Sequence, residues 1–165
     1  MSGASSAGQT RTQASVLTPR GSVSLTLSQP HDPDAFYRTR SGLYAWKDFR
    51  DRIVTNAKLV PTGTTYQLAV FELKEWVTDE QIEAVLPEHH LFNESALCAI
   101  VAELIGKQRN GEPGDLEHTG YANLLYTASC VVCVDWFADD REWSVDAWDR
   151  GGSGWDADDR VFSPA

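Results

Sequence analysis

Two seven-residue stretches near the end of the chain, VVCVDWF at 131–137 and EWSVDAW at 142–148, are separated by only four residues, Ala138, Asp139, Asp140 and Arg141. Strand side chains alternate between two faces, so folding these stretches back on the short loop fixes which residues meet. Trp136 falls opposite Trp143, Val134 opposite Val145 and Val132 opposite Ala147. That face is uniformly apolar, and each large side chain it buries is worth about 1.5–3 kcal/mol. A cross-strand tryptophan pair adds about 0.5–1 kcal/mol. The other face holds Cys133, Asp135 and Phe137 across from Asp146, Ser144 and Glu142, with Trp148 beyond. Stability does not account for it. Asp135 and Asp146 become diagonal neighbours at roughly 7–8 Å. They repel by about half a kcal/mol at water-like dielectric. Aspartate is also a poor strand former. Either something other than folding selects the residues of this face, or they are not optimised at all.

The acid is local. From Cys130 to Ala165 there are eight Asp and one Glu against three Arg, and four of the six tryptophans lie there too. The next segment, GGSGWDADDRVF, continues the pattern: Trp155, Val161 and Phe162 are apolar anchors with Asp156, Asp158 and Asp159 between them. Gly151, Gly152 and Gly154 permit an irregular loop there. A net charge of −10 argues against nucleic-acid binding and against anionic membranes, both of which call for Lys and Arg. No run of eighteen apolar residues occurs, so no membrane insertion is expected. Three cysteines, Cys98, Cys130 and Cys133, with no apolar leader at the N-terminus, fit a reducing compartment, cytoplasmic by default.

Upstream, residues 1–33 are rich in Ser, Thr, Gly, Gln and Pro and read as a flexible or partly extended segment. Within it SVSLTLS alternates and predicts one strand with Val23, Leu25 and Leu27 on one face. Residues 34–165 read as a single domain. FYRTRSGLYAW suggests two extended pieces about a Ser-Gly turn, and WKDFRDRIVTNA a helical stripe of Trp46, Phe49, Ile53 and Val54. YQLAVFELKEWV reads as a strand. TDEQIEAVL opens with a capping box from Thr78 to Gln81. NESALCAIVAELIG reads as a helix capped by Asn93 or Ser95, with Leu97, Ile100, Val101, Leu104 and Ile105 inward and Gly106 as its stop. Helices followed by a β-rich C-terminal half predict an α+β fold, two helices packed on an antiparallel sheet.

The pattern W-x4–6-W-x-V-x-A…G-G-x-x-W-x4-R-V-F-S resembles the variable region of diversity-generating retroelement target proteins, and GLYAWKDF resembles an early scaffold strand of the same family. The resemblance implies a C-type lectin-like fold whose variable binding region spans about 121–163. It implies that Trp136, Trp143, Val145, Trp155, Val161 and Phe162 are scaffold. It implies that Asp135, Phe137, Asp139, Asp140, Glu142, Ser144, Asp146, Trp148, Asp149, Asp156, Asp158 and Asp159 face the ligand and vary. The family's mutagenesis is directed at adenines and converts Asn codons into Asp, Ser, Phe and others. Consistently, no Asn, Lys, Gln or Thr occurs from Ser129 onward. Glu142 and Trp148 require other adenine-containing codons. A rigid apolar face lets the exposed one change without unfolding the domain, and aromatic contacts bind at low entropic cost. The expected function is noncovalent binding of a protein ligand by a monomer, without a cofactor or a metal.

Three rival chemistries have weaker signals. A calcium- or carbohydrate-binding lectin-like module is the main alternative, because Asp156, Asp158 and Asp159 are closely spaced oxygen ligands; the regular twelve-residue calcium loop is absent. Cys130 and Cys133 form a C-x-x-C within a strand, where they point to opposite faces; a zinc site needs two more ligands, for which His89 and His90 are available, although adjacent loop histidines are usually just exposed. His118, Asp135 and Ser144 contain the residue types of a hydrolytic triad, but no nucleophile elbow is present. An enzyme is therefore not expected.

Overall fold

A computed structural model describes residues 16–38 and 40–165. Residues 1–15 of the N-terminal segment lie outside the described residues. The strands are β1 (Leu17–Thr26), β2 (Leu43–Ala45), β3 (Thr65–Leu73), β4 (Val77–Thr78), β5 (Asn123–Tyr126), β6 (Cys130–Phe137), β7 (Glu142–Asp149), β8 (Gly154–Trp155) and β9 (Arg160–Pro164). The helices are α1 (Pro33–Phe36), α2 (Lys47–Arg52), α3 (Asp79–Val85) and α4 (Glu94–Gly106), with a 3₁₀ turn at Val54–Asn56.

The fold is α+β. Seven strands form one sheet in the order β1-β3-β9-β5-β6-β7-β2, and β4 pairs with β8 in a separate ribbon. Two expectations are corrected. There are four α-helices among the described residues rather than two. The large sheet is mixed: β2 runs parallel to β7, and β5 parallel to β9. Both parallel contacts join strands far apart in sequence, where local periodicity carries no information.

The sheet has a core on each face. On one side β-strand residues such as Leu68, Leu125, Val132, Val134, Trp143, Val145 and Phe162 pack with Phe49, Leu97, Val101 and Leu104 of the helices. On the other, Leu73, Leu124, Tyr126, Val131, Cys133 and Val161 pack with Val77, Ile82 and Leu86. The molecule therefore has three layers, but the third, made of α3 and the β4–β8 ribbon, is small.

β1 begins well ahead of residue 34 and pairs with β3 along its full length, so residues 17–26 belong to the sheet. Val23, Leu25 and Leu27 are buried as the alternation predicts. Leu17 has the same parity as Val23 yet packs in the opposite core. The cause is a bulge between Pro19 and Gly21, which inserts one residue and reverses the alternation. Gly21 supplies the required φ of 114°.

Among the described residues FYRTRSGLYAW contains one strand, β2, rather than two extended pieces. Phe36 ends α1, which starts where the Asp32 carboxylate accepts from the Ala35 N–H (3.4 Å) and Pro33 occupies the first turn. Trp46 leaves the helical stripe: it is the N-cap of α2 and is exposed, whereas Phe49, Ile53 and Val54 are buried. The capping box at Thr78 forms with both hydrogen bonds, and Asn93 caps α4. Among the described residues no helix is long and apolar enough to cross a membrane.

Candidate ligand-binding face

The β6–β7 hairpin has the register its alternation predicts: Trp136 pairs with Trp143, Val134 with Val145, Val132 with Ala147, Asp135 with Ser144 and Cys133 with Asp146. Trp143, Val145, Val161 and Phe162 are fully buried. Trp143 donates Nε1–H to the Gln108 carbonyl (2.6 Å). Gln108, itself buried, holds the 112–116 loop through Glu112 O, Leu116 O and Leu116 N. Trp136 is half-buried, lies 5.4 Å from Trp143 between ring centroids, and covers Gly111 so closely that a Cβ there would sit 2.2 Å from its ring.

The outer face divides in two. Beside β5, Val131 and Cys133 are covered by the third layer. Toward the β7–β2 edge that cover ends. Phe137 and Trp148 are exposed (41% and 49%), Asp135, Glu142 and Asp146 are half-buried, and Asp139, Asp140 and Asp149 are exposed. β2 adds two aromatics missed by the sequence reading, Tyr44 opposite Ser144 and, just past it, Trp46 (42% exposed), which meet edge-to-face at 4.9 Å. Their only sequence signal was an aromatic pair at i, i+2 in a short strand.

Two of the residues assigned to the ligand-facing set are sealed in. Ser144 is 3% exposed, and its Oγ accepts from Trp46 Nε1 (2.7 Å). Asp159 is 5% exposed, and its carboxylate accepts from the N–H groups of Ala122 (2.8 Å) and Asp156 (2.9 Å). Alternation alone cannot separate a buried, hydrogen-bonded polar residue from a free one. Asp149 is exposed but pairs with Arg52 (2.9 Å), which also reaches Ser129 O. Asp156 and Asp158 are exposed on the loop before β9, where Asp158 has φ of 79°. With Asp159 turned to backbone donors, the three carboxylates do not converge, and among the described residues no group of three metal-ligating side chains does. His90 contacts Glu83 and Pro87 O instead. Among the described residues Ser144 Oγ has one hydrogen-bond partner, an indole, so it is not joined to His118.

The acids of the face are electrostatically stressed. Burial pushes the Asp135 carboxyl up to about 6, and the Asp159 and Asp146 charges push it the same way. The Cys133 thiol, 3.7 Å from Asp135 Oδ1, offers a weak hydrogen bond in return and is itself pushed up by burial. Burial also raises Asp146. An incoming cation would relieve this stress.

A buried carboxylate fixes the segment after the hairpin. Asp79, fully buried at the start of α3, accepts from Tyr126 Oη (2.7 Å), Trp155 Nε1 (2.7 Å) and Gly151 N (2.9 Å). Arg150 reaches Glu83 through Nε and Nη2 and the Ala128 carbonyl through Nη1. The 149–155 loop is therefore pinned at both ends by α3, and Trp155 is a half-buried anchor. Comparison with known proteins yields no matching family model, no matching curated protein and no matching solved structure.

Proposed function

We propose that the chain is a ligand-binding protein of C-type lectin-like architecture whose C-terminal surface is diversified by adenine-directed retroelement mutagenesis, and that it holds a protein partner noncovalently through the open face of β6–β7. The observation that carries this reading is the division of labour within one hairpin: Trp143 and Val145 are fully buried, while Phe137 and Trp148 on the reverse side stand exposed beside partly dehydrated acids. The face supplies apolar contact area through Trp46, Phe137 and Trp148, and negative charge through Asp135, Asp139, Asp140 and Asp146. A partner with a basic patch bordered by apolar groups complements it, and charge complementarity accelerates encounter. The ligand-facing set in this reading is Asp135, Phe137, Asp139, Asp140, Glu142, Asp146, Trp148, Asp149, Asp156 and Asp158. Ser144 and Asp159 move to the scaffold.

The test is a display library randomised at Phe137, Asp139, Asp140, Trp148, Asp156 and Asp158, set beside one randomised at Trp143, Val145, Val161 and Phe162. Most members of the first should fold and yield binders to new proteins; most of the second should not fold. Widespread unfolding in the first library overturns the proposal. The genetic arm is sequencing around the gene: a near-copy of its 3′ end differing at adenines, beside a reverse transcriptase, is expected, and differences spread over all four bases would refute the mutagenesis.

A further inference from the structure

Beyond the open face, the hairpin tip borders a groove of about 760 Å³ whose lining contradicts the acidity of the chain. Arg40, Arg109 and Arg141 line it, brought from three separate segments: the approach to β2, the end of α4 and the β6–β7 loop. Phe36, Leu43 and Ile105 give it an apolar wall. The chain has 24 acidic residues for 14 Lys and Arg, yet among the described residues none of these three guanidiniums is within ion-pairing distance of a carboxylate. Asp140 and Glu142 also border the groove, leaving its lining with one net positive charge.

Arg40 is held in place by stacking, its guanidinium carbon 4.9 Å from the centre of the Phe36 ring. Arg141 lies in the tight β6–β7 loop, where its backbone adopts φ of 52°. That is left-handed backbone, which disfavours any residue with a Cβ. Guanidiniums with no carboxylate partner suit planar or tetrahedral oxyanions, which they bind through paired N–H donors. The volume lies within the range of small-molecule sites.

We infer that this groove binds the oxyanion head of a small organic molecule, a carboxylate or a phosphate, with the molecule's apolar body against Phe36, Leu43 and Ile105. The ligand is small because the net charge of −10 repels a polyanion, whereas local cations within a Debye length of about 8 Å govern a compact anion. Arg40 and Arg109 lie outside the 121–163 region, so two of the three cations do not depend on the reading of the open face, although Asp140, Arg141 and Glu142 on the groove's other wall lie within it.

The experiment is an NMR amide titration of the full chain with phenyl phosphate, benzoate and the cation benzamidine. Phenyl phosphate or benzoate should move the amides of Gly42, Asn110 and Glu142, and the tighter of the two identifies the head group. The Arg40→Ala/Arg109→Ala double variant should bind at least about tenfold more weakly, as expected on losing charge-assisted hydrogen bonds. Arg141→Gly suits the left-handed backbone, so it should weaken binding while leaving the melting temperature unchanged. Groove amides unmoved by both anions, benzamidine binding as well as benzoate, or full affinity in the double variant overturns the inference.

Discussion

Replacing Asp135 by Asn should stabilise the protein at neutral pH, and the gain should shrink steadily as the pH falls toward 4. The side chain is half-buried between Cys133 and Phe137 on the outer face of β6, and burial raises its carboxyl from 3.8 to about 6, with Asp159 and Asp146 adding to the rise. A folded-state value above the unfolded one means that the native protein binds the proton more tightly. Stability is then greatest below the unfolded value and falls as pH rises through the folded one. Between 3.8 and about 6, ionising Asp135 costs up to about 3 kcal/mol. Asparagine has the same shape, keeps an oxygen for the Cys133 thiol and carries no charge. At pH 7.5 the variant should therefore melt about 5–10 °C higher than the parent, taking about 2–4 °C per kcal/mol for a chain of this size. The difference should shrink to about a third of that near pH 4.5, and the two should nearly converge only below the unfolded value of 3.8. The assay is thermal unfolding in a pH series at constant ionic strength, with carboxyl NMR following Asp135 directly. Parallel curves from pH 4.5 to 7.5, or a carboxyl that titrates near 4, would refute the reasoning.

Asp79→Ala removes the carboxylate that accepts from one buried and two part-buried donors and should cost about 2 kcal/mol or more, read by urea denaturation, with faster proteolysis of the 149–155 loop. Gly111→Ala should cost at least about 2 kcal/mol, because its φ is 72° and the new Cβ meets a Trp136 ring already packed on Trp143. Gly154→Ala should cost under about 1 kcal/mol despite a 1.9 Å approach to Trp76, since that indole is 60% exposed and free to swing. Glu83 behaves oppositely to Asp135: burial pushes it up, but hydrogen bonds from Arg150 and His90 outweigh that and hold it low. The wild-type advantage over Glu83→Gln should be present at pH 6 and be lost as pH falls below 4.5 through the lowered folded-state value, as equilibrium unfolding across that range will show.

The hairpin was legible in the sequence because a four-residue loop and strict alternation leave one register, and the capping box at Thr78 was legible because its partners are three residues apart. What escaped was non-local. Nothing near Asp79 announces that Trp155 and Gly151 will meet it; that follows from β8 pairing antiparallel to β4. The bulge at Pro19 and Gly21 reverses a strand whose composition resembled a tail. Ser144 and Asp159 escaped for another reason. Their residue types suit a solvated face and a hydrogen-bonded interior equally, and only the arrival of Trp46 or of the Ala122 and Asp156 amides decides between them.

The place where the outer face opens explains why acids accumulate there. α3 and the β4–β8 ribbon cover the sheet from β3 across to β6, and under them the residues are Leu73, Leu124, Tyr126, Val131 and Cys133. An aspartate there would lose its hydration without a partner, a cost of several kcal/mol. Two residues farther along β6, at Asp135, and one strand over on β7, at Asp146 opposite Cys133, the cover stops, and both carboxylates stay partly hydrated while burial raises their pKa. The frame beneath them does not depend on their identity, because Trp143 and Val145 fill the opposite core and Ser144 is tied to Trp46. In the proposed reading, tolerance of change and exposure to a partner have one structural origin, the edge of a small third layer. Lengthening that layer over β7 would abolish both together.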